Sequence, residues 1–481
     1  MFSGMNRKTF HLTSLGCAKN TVDSDSMAQL LEQDGYRLVK APQQASVLIV
    51  NTCGFISPAR QESFDVLRSL AKAKRPDQLL IAAGCLTQRY GAEVAKQVPG
   101  IDGILGTRRW MDIVKVVRQL RKGSHPEPLY HLPAVPTIGT DEGNTLRASS
   151  STVLPGLTAR AGRASLAGGS AYLKIADGCR RPCAFCAIPL IKGTAVSRPM
   201  NAILDDARRL RDMGVRELVL IAQDTTDYGH DLGMKDGLAT LLEHLIDVVA
   251  QPSPLPGGIE GGLDWIRIMY AYPGYVTDRL IEVMASRPQI LPYLDMPLQH
   301  AHPDVLRRMS RPANMEWVYK TLARMRAALP SLAIRTTFIV GYPDETEAEF
   351  QMLLDFVSEM RFDRVGAFQF SFEPGTPSEP LGDPIPAEVK EERYQRLMSL
   401  QQSISMQINQ SFIGQRLDIL VEGFDKGLSI GRSYRDAPEI DGLVFAGRVG
   451  AAQGQAKIGQ IVPVRITGAM AYDLTGVLAT T

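Results

Sequence analysis

Cys179, Cys183 and Cys186 lie in the segment DGCRRPCAFCAIPLIKG, spaced C-x-x-x-C-x-x-C. Thiolates on one short loop can each hold one iron of a cubane cluster, and a four-iron cluster ordinarily takes four protein ligands. Three ligands leave one iron open to bind and cleave a small molecule. The spacing therefore argues for chemistry at a cluster more than for simple electron carriage. The chain has six cysteines in 481 residues. The other three, Cys17, Cys53 and Cys85, stand far apart, and each closes a strand-like run: SLGC, NTC and AAGC.

The elements around those residues bring them together. Residues 9–122 alternate short apolar strands with helical segments. Phe10–Leu15, Val47–Val50 and Leu79–Ala83 read as strands. Asp23–Gln33, Pro58–Ala73 and Thr87–Gln97 have helical spacing and usable N-caps. Such alternation implies a mostly parallel sheet, and loops after parallel strands gather at one edge, where open α/β folds place ligands. Cys17, Cys53 and Cys85 are thus expected to converge. Three buried structural cysteines and a three-ligand zinc site remain alternatives, though the iron–sulfur motif downstream favours a second cluster.

Residues 123–170 are rich in Gly, Pro, Ser, Thr and Ala without sustained periodicity, and read as a linker, flexible in its middle. Residues 171–404 show six strand–helix units, with strands near Tyr172–Ala176, Leu218–Ala222, Trp265–Tyr270, Tyr293–Met296, Ile334–Val340 and Val365–Phe370. Six units fit a partial (βα)6 barrel, open on one side. The three-cysteine loop follows its first strand, at the end where such barrels carry their chemistry. Residues 405–481 switch to alternating segments such as LDILVEGF and IVPVRITGAM between Gly-rich turns, the pattern of a small antiparallel, OB-like β-barrel. The fold class is α/β for the first two regions, with an all-β third.

Composition narrows the setting. Hydrophobic residues make up 44% and charged residues 22%, as in ordinary soluble globular protein. With 53 Lys/Arg against 51 Asp/Glu, a broad electrostatic grip on nucleic acid is not expected. No apolar run approaches a membrane span, and the start, MFSGMNRKTFHLTSLGC, is too polar for a signal peptide. A cytoplasmic location is expected, where cysteines serve as metal ligands or catalytic groups more than as disulfides.

A reduced cluster with one open iron can chelate the amino and carboxylate groups of S-adenosylmethionine. Electron transfer into the sulfonium then breaks a carbon–sulfur bond and yields a carbon radical. The three-cysteine motif at the end of the first barrel strand resembles the signature of the radical S-adenosylmethionine superfamily. With Cys17, Cys53 and Cys85, it resembles the methylthiotransferases. That resemblance implies an N-terminal domain with an auxiliary 4Fe-4S cluster, a radical barrel with another, and a C-terminal TRAM domain. It covers nearly the whole chain outside the linker, which is longer than the family pattern leads one to expect.

SLGCAKNTVDSD, YAYP (270–273), MPLQHAHPDVLRRMSR (296–311), IRTTFIVGYPDET (334–346) and RSYRDAPEIDG (432–442) look like the ribosomal-protein, RimO-type branch. The implied reaction places a methylthio group on the β-carbon of an aspartate in the twelfth small-subunit ribosomal protein. In that reading Cys179, Cys183 and Cys186 hold the radical cluster, and the other triad holds the cluster that carries sulfur. The implied partners are a basic ribosomal protein, free or within the ribosome, and an electron donor protein; a monomer is the default. Residues 405–481 carry seven acidic and seven basic residues. A neutral module with Asp436, Glu439 and Asp441 close together suits a basic protein better than RNA phosphates.

Further candidates for the S-adenosylmethionine pocket are Arg198 for its carboxylate, Gln223 and Asp224 for its amino or ribose groups, and Gly341, Tyr342 and Pro343 beside its adenine. Ordinary turns and solvated charges explain these equally well. His300 and His302 read as polar loop residues. The rival functions are methylthiolation of transfer-RNA adenosine, sulfur insertion without methylation, and a non-catalytic iron–sulfur scaffold.

Overall fold

The computed structural model describes residues 8–123, 127–132, 164–167, 169–250, 263–448 and 456–479. The first unit is a six-stranded sheet in the order β2-β1-β3-β4-β5-β6, parallel throughout. Its strands are β1 (Thr9–Ser14), β2 (Arg37–Leu38), β3 (Val47–Thr52), β4 (Leu79–Gly84), β5 (Gly103–Gly106) and β6 (Leu129–His131). Helices α1 (Ala18–Gln33), α2 (Ser57–Ala73), α3 (Cys85–Gln97) and α4 (Ile113–Leu120) pack around it. Every residue of β3, VLIVNT, is buried, as a central parallel strand covered on both faces requires.

The second unit is a sheet in the order β15-β14-β13-β12-β11-β8-β7. Six of its strands run parallel: β8 (Ser170–Lys174), β11 (Glu217–Ile221), β12 (Trp265–Ile268), β13 (Ile290–Asp295), β14 (Ala333–Val340) and β15 (Arg364–Gln369). They form the predicted partial barrel. A short ribbon of β9 (Ala176–Asp177) and β10 (Val196–Ser197) flanks the cysteine loop. Helices α5 (Ile188–Lys192), α6 (Met200–Asp212), α7 (Gly237–Val249), α8 (Asp278–Ser286), α9 (Pro303–Arg308), α10 (Met315–Ala328), α11 (Glu347–Met360) and α12 (Ala387–Gln410) belong to this unit.

The stretch read as a linker holds structure at both ends. β6 extends the first sheet, and β7 (Ala164–Ala167) pairs antiparallel with β8. Edge strands this short need only a neighbour's backbone, so no side-chain periodicity marks them. The linker's middle lies outside the described residues.

The third unit is a closed five-stranded barrel in the order β16-β17-β18-β20-β19: β16 (Arg416–Asp425), β17 (Leu428–Ser433), β18 (Val444–Gly447), β19 (Ile461–Ala469) and β20 (Leu474–Leu478). Its segment 432–442 plugs the amino-terminal mouth of the radical barrel. Arg432 meets Glu217 at 2.6 Å, Asp436 meets Arg364 at 2.7 Å, and the Tyr293 hydroxyl donates to Asp441 at 2.7 Å. Arg267, itself 2.7 Å from Glu217, donates to the carbonyl of Tyr434. This corrects the reading of the acidic cluster as a face for a basic partner. Asp436 and Asp441 are buried and neutralised within the chain, and Glu439 alone of the three is exposed. A charge count along the sequence cannot show which charges fold inward.

Burial alone would raise the Glu217 pKa, but Arg432 and then Arg267 outweigh it and hold the carboxyl at about 2 against an ordinary 4.5. The stabilisation this confers is complete above pH 4.5 and is lost as pH falls toward 2. Glu217→Ala leaves two buried guanidiniums without their shared carboxylate, at a cost of about 3–5 kcal/mol. A drop in melting temperature with early proteolytic release of the C-terminal barrel is the expected result. An unchanged melt would show that the plug is held by other contacts.

Candidate active site

At the carboxyl edge of the first sheet, three loops close on one another. Cys17 caps the start of α1, Cys53 follows β3, and Cys85 opens α3 directly after β4. Gly16 takes φ +94°, and a Cβ there would stand 2.9 Å from Cys53 Cβ and 3.1 Å from its Sγ. The buried Asn20 ties the three loops. Its Nδ2 donates to the carbonyls of Leu15 and Thr52 at 2.9 and 3.0 Å, and its Oδ1 lies 3.7 Å from Cys85 Sγ. The predicted convergence of the three cysteines is met. Sequence reading missed Asn20, although it sits in the quoted SLGCAKN.

In the barrel, Cys179, Cys183 and Cys186 line the loop after β9. Backbone N–H groups of Arg181 and Ile188 point at Cys179 Sγ (3.4 Å) and Cys186 Sγ (3.5 Å), and Arg311 Nη1 lies 3.6 Å from Cys183 Sγ. Donors aimed at sulfur are what cluster-bound thiolates require. Burial pushes the Cys179 thiol up to about 11 and the Cys85 thiol up to about 12, and raises Cys53 and Cys186 as well. Without metal these groups are neutral thiols; a cluster would draw them into the thiolate form. Among the described residues no three His, Cys, Asp or Glu close on a single-ion site.

The two triads share a wall. Cys85 packs in a small buried cluster with Ala187 and Ile191, and Ala187 directly follows Cys186. Beside it, Asp23 of α1 reaches Lys174 at 2.9 Å and Lys192 at 2.8 Å, and Asp177 reaches Lys174 at 2.9 Å. Burial works to lower the Lys192 pKa, but Asp177 and Asp23 outweigh it and hold the ammonium charged. This pinned contact fixes the first unit on the barrel's carboxyl end. Arg60 and Arg89 of the first unit add a second clamp on Glu373, at 2.7 and 2.6 Å.

The other candidates divide. Gln223 stands two residues past β11, and among the described residues its buried Oε1 has no partner, so it suits a ligand's donor group. Asp224 is buried and bonded to Arg181 at 2.6 Å, while Arg181 stacks 3.6 Å from the Tyr275 ring centroid. Burial raises the Asp224 pKa more than Arg181 lowers it. Arg198 is bonded to Asp206 of α6 at 2.7 Å and to the carbonyl of Lys174, a position that braces the end of β8 against that helix. Gly341 (φ +70°) faces Lys390 so closely that a Cβ would lie 2.4 Å from its Cγ. Helix packing therefore accounts for this glycine without a ligand. His300 is buried against Glu345 at 2.9 Å, and Glu345 also bonds Arg393. Arg181, Arg311, Tyr272 and Tyr275 were not singled out from the sequence, because nothing local shows that they stack beside the cluster loop.

Three family models match the chain: the uncharacterized protein family UPF0004 over residues 9–106, the radical SAM superfamily over 173–357 and the TRAM domain over 413–478. The radical methyltransferase TsrM from Kitasatospora setae shares the fold, with a TM-score of 0.54 at 12% identity over 88% of this chain and 80% of that one. Fold, cysteine triads and domain set together define a radical S-adenosylmethionine enzyme of the methylthiotransferase class. Ribosomal protein uS12 methylthiotransferase RimO of Chloroflexus aurantiacus is 48% identical over 97% of this chain and 99% of its own. The RimO proteins of Roseiflexus sp. and Herpetosiphon aurantiacus are 46% and 44% identical, each over 97% of this chain and 96% and 99% of theirs. The chain belongs to the RimO family of ribosomal protein methylthiotransferases.

Proposed function

We propose that this protein adds a methylthio group to the β-carbon of an aspartate in ribosomal protein uS12. Cys179, Cys183 and Cys186 would hold the radical 4Fe-4S cluster, and Cys17, Cys53 and Cys85 the auxiliary one. When bound, the two clusters supply reductive cleavage of S-adenosylmethionine and delivery of the sulfur group. The chain's own residues provide the setting. Arg311 and backbone N–H groups steady the thiolates, the Gln223 carboxamide oxygen is available to the cofactor, and Asp23 with Lys174 and Lys192 keeps the two sites in register. The observation that carries this reading is the packing of Cys85 against Ala187 and Ile191, the first of which directly follows Cys186.

The partners proposed are uS12, free or in the ribosome, and a protein electron donor. Such a substrate places the enzyme in the cytoplasm; among the described residues no helix is long and apolar enough to cross a membrane. The test is to incubate reconstituted enzyme with uS12, S-adenosylmethionine, sulfide and a reductant. Mass spectrometry should find one aspartate carrying a methylthio group. The same gain on transfer RNA, with uS12 unchanged, would overturn the assignment.

A further inference from the structure

Lys19, two residues after Cys17, sets its ammonium group at the edge of the candidate site, where burial lowers its pKa and the neighbouring Cys17, Asp295 and Asp177 oppose that shift. It lies in the first turn of α1, which contains no acidic residue, and a cation there opposes the helix dipole. Its Nζ sits 3.1 Å from the centroid of the Tyr270 ring. Tyr270 lies two residues past β12, at the catalytic end of the barrel, with φ +62°, a left-handed conformation unfavourable for a bulky side chain. That backbone is pinned: its carbonyl accepts from Thr225 N at 3.1 Å and its N–H donates to Asp295 at 3.3 Å. The strained turn thus sets the ring under the ammonium.

Among the described residues no carboxylate bonds Lys19. The nearby ones are engaged elsewhere, Asp295 with Arg335 at 2.9 Å and Asp177 with Lys174 at 2.9 Å. Lys19 is only half-buried, and neighbouring Cys17 is exposed. One face of the ammonium is covered by the ring, which leaves its remaining N–H donors for an incoming anion.

We propose that Lys19 receives the carboxylate of the substrate aspartate, an inference that rests on the function proposed above. In aspartate the β-carbon is bonded directly to the carboxyl carbon, so holding the carboxylate beside Cys17 also holds the reacting carbon beside the auxiliary site. An uncharged base edge in the same place would leave Lys19 unpaired, which selects against it. Lys19 is therefore a specificity-determining residue, supported by Tyr270.

The test measures binding of uS12 to reconstituted, unreduced holoenzyme. It uses native uS12 and uS12 with the target aspartate changed to asparagine. Wild-type enzyme should prefer the aspartate form by about tenfold to a hundredfold, the range of one charge-assisted contact. Lys19→Met should bind both forms equally, at the wild-type level for asparagine, with iron content and S-adenosylmethionine affinity unchanged. Lys19→Arg should restore part of the preference. A Lys19→Met enzyme that keeps the preference overturns the inference, as does one that loses iron or cofactor affinity, since Lys19 would then serve the cluster or the cofactor. If wild-type enzyme neither binds nor modifies uS12, the proposed function fails and this inference with it.

Discussion

Alanine at Cys179, Cys183 or Cys186 is expected to abolish cleavage of S-adenosylmethionine and to lower iron from about eight atoms per chain to about four, one cubane's worth. Alanine at Cys17, Cys53 or Cys85 should lower iron equally, with cleavage persisting while methylthiolation of uS12 is lost. The asymmetry follows from the separate housings. The barrel triad has its own N–H donors from Arg181 and Ile188 and its own cation, Arg311. The N-terminal triad hangs on Asn20 and on close contact at Gly16. Losing one set leaves the other's scaffold intact. Iron analysis with chromatography of cleaved cofactor reads both halves. Cleavage surviving Cys186→Ala would remove the barrel loop from its assigned role.

Asp23→Ala is expected to have the next largest effect, through distance between the two sites. Its carboxylate is almost wholly buried and bonds two buried ammoniums, Lys174 and Lys192. Without it the two ammoniums lose the carboxylate that bridges them, and an uncompensated buried charge costs about 3–5 kcal/mol. The relief open to the protein is for α1 to shift away from the barrel, carrying Cys17 and Lys19 with it. Misplacement of about 1 Å between reacting groups can cost about a hundredfold in rate. Product formed per cofactor cleaved should therefore fall by about that factor, while iron content holds and cleavage continues. Asp23→Asn, which keeps the shape and two polar atoms, should fall between. An unchanged ratio of product to cleaved cofactor would show that α1 is positioned by the Arg60 and Arg89 clamp instead.

Much of this site was legible in the chain itself. Period-two and period-3.6 patterns depend on neighbours within a few residues, so β3, β4, α2 and the six barrel strands could be read within a few positions of their observed ends. Strand-end cysteines in a parallel α/β pattern must gather at one edge, so the convergence of Cys17, Cys53 and Cys85 was legible too. β6 and β7 were not, since a three- or four-residue edge strand is made by its partner. Nor was the environment of Arg198, whose type suits a carboxylate ligand until Asp206 is seen to hold it.

Local order and the two sets of candidate thiols were thus legible in the sequence, because both rest on residue identity and on position relative to the nearest strand. Which charge meets which was decided only by the folded chain. Asp23 and Lys174 are 151 positions apart, and Glu217 and Arg432 are 215 apart. A carboxylate is written the same way whether it faces water or a buried guanidinium. Only the packing that buries Arg432, Arg435 and Asp436 turned an apparent docking face into the plug of the barrel, and only the fold shows that among the described residues no carboxylate bonds Lys19.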